Sequence, residues 1–172
     1  PYPDTYTDDE LGITMINHAN VFCRERVDNG ARLLLAQLER LPQAGRIVDL
    51  ACGNGIIGIH VQQSQPDAHL HFIDESYMAV ESARENYAHL CRQSVQAPTF
   101  TVGNALDACD ADSIDLIVCN PPFHVQHAVV DDTARLFFTQ AACCLQHKGE
   151  LWLVANRRLP YRRYLKRDFG QC

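Results

Sequence analysis

The residues of this 172-residue chain best suited to chemistry are Asn120-Pro121-Pro122-Phe123, which close the apolar run Ile114 to Cys119. Two consecutive prolines fix φ and remove two backbone donors. The Asn120 side chain and the Pro121 carbonyl then form a rigid pair of acceptors beside the aromatic face of Phe123. Such a pair suits an NH₂ group conjugated to a planar ring, whose nitrogen lone pair is delocalised and poorly nucleophilic. Two hydrogen bonds from that group to fixed oxygens turn it towards a pyramidal geometry, and positioning supplies most of the catalysis. Phe123 would stack on the ring, a contact worth roughly 1–3 kcal/mol per base in single-stranded recognition. Taken alone, the same tetrapeptide reads as a strand-ending Pro-Pro turn with a core Phe.

A second cluster runs from Asp49 to Gly58 (DLACGNGIIG), where a strand turns into a helix. Glycine tolerates positive φ and lets a ligand lie directly on the backbone. Gly53-x-Gly55-x-x-Gly58, with Asp74 about 20 residues on, also satisfies the dinucleotide fingerprint. The glycines therefore leave two readings open, a nicotinamide-dependent dehydrogenase and an S-adenosylmethionine enzyme. Asp49 favours the second, because an acid just before the loop is an awkward neighbour for a pyrophosphate but suits a cationic ammonium group. Asp74 is placed to accept both ribose hydroxyl hydrogens in either reading, while Ser76 caps the next helix. Asn104 is expected beside an adenine edge, with a plain turn residue as the alternative.

Positioning these groups requires strands that end at them. The sequence predicts strands over 46–51, 70–73, 99–102, 114–119 and 150–155, the last preceded by a turn at Gly149 and holding a packed Trp152. Helices are predicted over 56–63, 77–91 and 133–145, and Asp28 caps another whose apolar positions Ala31, Leu34, Leu35, Leu38 and Leu41 run to Pro42. Strands alternating with helices of this length imply an α/β fold of Rossmann-like type, with a mostly parallel sheet covered on both faces. Residues 1–27 read as a polar, irregular lead-in arm, and 28–172 as the catalytic domain. Two further strands usual in such a sheet are expected to be missing after the basic helix over 160–169.

The net charge of −6 argues against general polyanion binding. Arg157, Arg158, Arg162, Arg163, Lys166 and Arg167 nevertheless form a local strip that fits either phosphate contact or a solvated helix face. The eight cysteines lack zinc-site spacing and read as reduced core thiols, the adjacent Cys143 and Cys144 included. No metal is expected at His124 and His127, which lack a Cys or carboxylate at ligand spacing. Contact to RNA or loop packing suits them better. Phe22 is expected either to close over the cofactor or to plug the core. Without an apolar run of about 18 residues or a signal segment, the chain is expected to be soluble and cytoplasmic.

The segments VDLACGNG, FIDES and CNPPFH, in this order and spacing, resemble class I S-adenosylmethionine-dependent methyltransferases that modify amino groups. NHANVFCRERVDNGARLLL, NPPFHVQHA and GELWLVANRRLPY are similar to bacterial ribosomal RNA guanine-N2 methyltransferases, nearer the large-subunit than the small-subunit type. The resemblance implies methyl transfer from S-adenosyl-L-methionine to the 2-amino group of a guanine in large-subunit (23S) ribosomal RNA. It implies a polypeptide that carries a second, degenerate methyltransferase-like domain before Pro1, and the protein is expected to be a monomer. It further implies that Asp49, Gly53, Gly55, Asp74 and Asn104 hold the cofactor, and that Asn120, Pro121 and Phe123 hold the target amine. Pro122, His124, His127, Arg157, Arg158, Arg162 and Arg163 fall to the RNA. Ala51 departs from the Gly more frequent in these families and is expected to keep ordinary strand dihedrals. Two other functions share these features: methylation of a protein glutamine amide, where Tyr commonly replaces Phe123, and a catalytically inactive domain that only binds RNA.

Overall fold

A computed structural model describes residues 2–21, 26–92, 94–121, 127–155 and 161–170, and of residues 127–133 it describes the backbone only. Elements follow in the order β1 (Asp4–Asp8), β2 (Ile13–Asn17), α1 (Asn29–Leu35), a 3₁₀ turn (Leu38–Arg40), β3 (Arg46–Leu50), α2 (Ile56–Ser64), β4 (His69–Asp74), α3 (Tyr77–Leu90), β5 (Thr99–Val102), β6 (Ile114–Cys119), α4 (His127–Cys144), β7 (Leu145–Leu153) and α5 (Tyr161–Phe169).

The last five strands form one parallel sheet in the order β5-β4-β3-β6-β7. Its central strands β3 and β6 are buried on both sides because both sides are covered. Ile47, Leu70, Phe72, Leu116 and Val118 face α2 and α3, while Val48, Leu50, Ile73, Ile117 and Cys119 face α4. Phe72 has no exposed surface, stacks on Phe100 at 5.0 Å and meets Tyr87 edge-on at 5.7 Å. Truncating such a side chain typically costs about 3–5 kcal/mol. From β3 the chain winds outwards through β4 to β5, then returns to add β6 on the other side of β3. The crevice beyond the carboxyl ends of β3 and β6 is therefore the switch point at which ligands bind in sheets of this kind.

Four expectations need correction. Residues 4–17 are an antiparallel hairpin and not an irregular arm. Its β-prone TYT and ITMI segments meet at a turn in which Gly12 adopts φ 64°, and only alternate residues such as Met15 and Asn17 are buried. The helix expected to run to Leu41 ends at Leu35, and the 3₁₀ turn then delivers Leu41 to the core. The last strand begins at Leu145, but its register against β6 shifts between Leu145 and Glu150, with Lys148 at φ 68°. In place of the expected turn the strand bulges there, inside its own bounds. The two adjacent cysteines part company: Cys144 is buried and Cys143 exposed. All six described cysteines are free, and burial pushes the thiols of Cys52, Cys91, Cys109, Cys119 and Cys144 upward, away from the reactive thiolate. Among the described residues no helix is long and apolar enough to cross a membrane.

Candidate active site

A cleft of about 290 Å³ opens at the switch point. Its walls come from four places: Ala51 to Asn54 after β3, Asp74 to Ser76 after β4, Asn120 after β6, and Tyr6, Val21, Val27 and Asp28 from the N-terminal part of the chain. Leu50 pairs with Cys119 in the β3–β6 ladder, so the glycine loop and Asn120 leave the sheet side by side.

The loop turns through three residues of positive φ, Ala51 at 56°, Gly53 at 54° and Gly55 at 82°. A Cβ at Gly53 would meet nothing within 4 Å, which leaves the backbone bare towards the cleft. Gly55 is required for a different reason. A Cβ there would come within 2.9 Å of Ala83 Cβ on α3 and 3.3 Å of Phe72 Cε1. Ala51 does not keep the expected strand dihedrals; the strand has already broken into the turn, and Ala carries a left-handed strain of roughly 1–2 kcal/mol.

Asp74 closes β4 with its carboxylate at the cleft. Oδ2 accepts from Gly53 N at 3.0 Å and Oδ1 from Ser76 N at 2.9 Å, so one side chain ties the glycine loop to the start of α3. Partial burial raises its pKa, opposed by the N–H groups of Ser76, Gly53 and Glu75. Ser76 caps α3 by accepting from Ala79 N. Asp49 lies deeper. It is buried behind the loop, outside the cleft wall, and Oδ2 accepts from Gly58 N at 2.8 Å in the first turn of α2. Burial raises its pKa to about 8, the Gly58 N–H opposing and the nearby Asp74 charge adding to the rise. Asn104 is not brought into the wall either; it is exposed, in a turn where its carbonyl accepts from Asp107 N at 3.2 Å.

Asn120 stands in the wall opposite Asp74. Its Nδ2 donates to Asp28 Oδ2 at 2.9 Å, while Asp28 Oδ1 caps α1 by accepting from Gly30 N and Ala31 N. Pro121 is buried beside it. Parallel strands, a positive-φ glycine turn, Asp74 at the end of β4 and Asn120 just past β6 thus converge on one cleft.

The methyltransferase small domain family matches residues 12–172. This chain belongs to that family. It is 47% identical over 161 residues to the ribosomal RNA large subunit methyltransferase G of Streptomyces griseus subsp. griseus, covering 94% of this chain and 42% of the relative. It is 45% identical over 172 residues to the protein of the same name from Stutzerimonas stutzeri, covering 100% of this chain and 45% of the relative. The chain thus spans less than half the length of these curated relatives. Among solved structures it superposes on the T. thermophilus 16S rRNA N2 G1207 methyltransferase (RsmC) in complex with AdoMet and guanosine, with a TM-score of 0.80 and 25% identity over 98% of this chain and 45% of that one.

Within this methyltransferase small domain the sequence reading missed the hairpin's part in the site. Asn54 Nδ2, inside the glycine loop, donates to Asn17 Oδ1 at 3.0 Å and reaches Tyr6 Oη at 3.5 Å. Asn86 on α3 clamps strand β2, accepting from Ile16 N at 2.7 Å and donating to Ile16 O at 2.8 Å and Asn54 O at 3.0 Å. His18 N donates to Ser82 Oγ at 2.9 Å, and Arg32 on α1 pairs with Asp8 and Glu10 of the hairpin. The signal available was the run of amides flanking apolar residues, Asn17, Asn54 and Asn86, which read as ordinary polar positions. Phe22, Pro122, Phe123, His124, Arg157 and Arg158 lie outside the described residues, and His127 begins α4. Arg162 and Arg163 are exposed on α5, whose Tyr161 packs edge-on against Phe138 of α4 at 5.4 Å. Neither arginine lines the cleft.

Proposed function

We propose that this domain transfers a methyl group from S-adenosyl-L-methionine to the 2-amino group of a guanine in large-subunit ribosomal RNA, a cytoplasmic reaction. The observation that carries the reading is that Asn120 shares one cleft with Asp74 and the open backbone at Gly53. The residues present suit the cofactor. Gly53 leaves room for a ligand against the backbone, and the Asp74 carboxylate, with about four lone-pair sites against the backbone N–H groups it accepts, keeps capacity for a ribose hydroxyl. When bound, S-adenosylmethionine supplies a methyl carbon already activated by a sulfonium. The chain's own task is to hold the amine. Asn120 Oδ1 and the Pro121 carbonyl accept its two hydrogens and orient the nitrogen, and Phe123 stacks on the base.

The names and identities of the relatives support ribosomal RNA as the substrate. Guanine is supported by the guanosine named in the superposed complex. The exposed cations Arg162, Arg163 and Lys166 on α5 are proposed to contact phosphates, together with Arg157, Arg158, His124 and His127. Asp49 is assigned to supporting the glycine loop through Gly58, from behind the methionine end of the cofactor. Because the relatives are more than twice as long as the stretch they share with this chain, the contacts proposed are those of the shared stretch only.

Tritiated S-adenosylmethionine with unmodified large-subunit ribosomal RNA tests the reading. Label recovered as N2-methylguanine is the expected result. Label on a protein glutamine, or cofactor binding without any transfer, would replace it with one of the two other functions.

A further inference from the structure

Asp28 has two oxygens with separate employments. Oδ1 caps α1 through Gly30 N at 2.6 Å and Ala31 N at 3.1 Å, which is the ordinary role of an acid at that position. Oδ2 has no part in the cap and faces a residue 92 positions away, accepting from Asn120 Nδ2 at 2.9 Å. A carboxylate that accepts N–H bonds can only accept, so the atom of Asn120 facing it must be the NH₂ and not the oxygen. The amide is thereby held in one of its two orientations. Its Oδ1 lies beside Gly30, where a Cβ would come within 2.4 Å of it, and no described residue donates to it.

We propose that Asp28 is a positioning residue, which fixes the Asn120 amide so that its oxygen is the atom offered to the target amine. The inference rests on the amine-methylating reading above for its catalytic consequence, but the orientation is a property of the two side chains alone. Without the carboxylate an Asn amide can present either end. An NH₂ turned towards an incoming NH₂ sets donor against donor and cannot orient it. The bond between Asp28 and Asn120 removes that alternative before substrate arrives, which is the sense in which preorganised groups act. It also couples α1 to the carboxyl end of β6, two elements that share no strand pairing.

The test is a polarity swap in the full chain. Asp28→Asn keeps the size and the cap, since Asn caps as well as Asp, but offers Nδ2 to Asn120 and inverts its amide. Transfer of methyl to ribosomal RNA is expected to fall about 100-fold in kcat, with cofactor Kd and Tm near the parent's. Asn120→Asp sets two carboxylates face to face and is expected to lose as much. The double variant Asp28→Asn with Asn120→Asp rebuilds the pair in reverse, the new amide on α1 donating to one oxygen of the new carboxylate while the other oxygen faces the amine. It is expected to recover at least about tenfold over either single variant, which loss of fold cannot produce. Parental kcat in Asp28→Asn, or a double variant no better than the poorer single, overturns the proposal. A readout without substrate separates this from failure of the functional reading. The Asn120 side-chain ¹⁵N–¹H₂ resonance, assigned by its disappearance in Asn120→Asp, should move in Asp28→Ser. If it moves while the parent methylates no RNA, the orientation stands and the guanine reading falls; if it stays in place, the orientation falls.

Discussion

Asn17 at the end of β2 and Asn54 in the glycine loop meet amide to amide at 3.0 Å, both almost wholly buried. The hairpin is therefore part of the wall that holds the loop in shape. Asn86 completes the set by bonding both the strand and the loop carbonyl. Asn86→Ala strands three backbone groups at once, and at about 1–3 kcal/mol for an unsatisfied buried group it should lower unfolding free energy by several kcal/mol. Asn17→Ala should lose less. Urea denaturation of the two singles and the double should show strong non-additivity, because the residues share one network. Additive losses would mean that hairpin and loop are held independently.

Ala51 sits at φ 56° where Gly would be unstrained. Ala51→Gly removes a left-handed penalty of about 1–2 kcal/mol and adds an unfolded-state entropy of about 0.4–1 kcal/mol. The balance favours the variant by about 0.5–1 kcal/mol, and Tm should rise by a few degrees. Calorimetry that finds a lower Tm would show that the Ala51 methyl makes packing contacts worth more than the strain.

Asp49 makes stability depend on pH in the direction opposite to a surface acid. Its pKa lies at about 8 in the folded chain, mainly through burial, whereas an unfolded Asp titrates near 3.8. Between those values the folded chain keeps a proton that the unfolded chain has lost, so this group's contribution is full below the unfolded pKa and declines as pH rises to about 8. Asp49→Asn should flatten that decline and leave the variant relatively more stable at pH 8 than at pH 5. Thermal melts of both proteins across pH 4.5 to 8.5, without cofactor, measure it; parallel profiles would mean that the carboxylate is ionised throughout.

The parallel sheet was legible in the sequence because three of its five strands, β3, β4 and β6, are largely apolar runs that end at or just before a distinctive residue, Asp49-Leu50, Asp74 and Asn120. Both capping residues, Asp28 and Ser76, were legible too, through the pattern of a polar residue before an apolar period. What escaped was non-local. The hairpin buries only alternate residues of two short strands, and its partners Asn54 and Asn86 lie 37 and 70 positions away in sequence. Asn104 and Asp49 show the reverse case. Both follow or end strands as cofactor residues should, yet one is drawn into a local turn and the other behind the loop. Proximity to a strand end fixes a residue's region, and only packing decides which way its side chain faces.

Gly30 provides the sharpest separation of fold from chemistry. Gly30 lies in the first turn of α1, where the full preference of about 1 kcal/mol for Ala over Gly in a helix interior is an upper bound, so on propensity alone Gly30→Ala should not destabilise the helix. The added Cβ, however, falls 2.4 Å from Asn120 Oδ1 and 2.9 Å from Asp28 Oδ1. The Asn120 amide is the far end of a side chain and yields more easily than a helix backbone, so the oxygen should move and the helix remain. Expected, then, are a Tm within a few degrees of the parent, an unchanged cofactor Kd, and a single-turnover rate of methyl transfer lower by about 100-fold. An unimpaired rate would show that the position of this oxygen is not what orients the amine, and a collapsed Tm would show that α1 rather than Asn120 absorbs the clash.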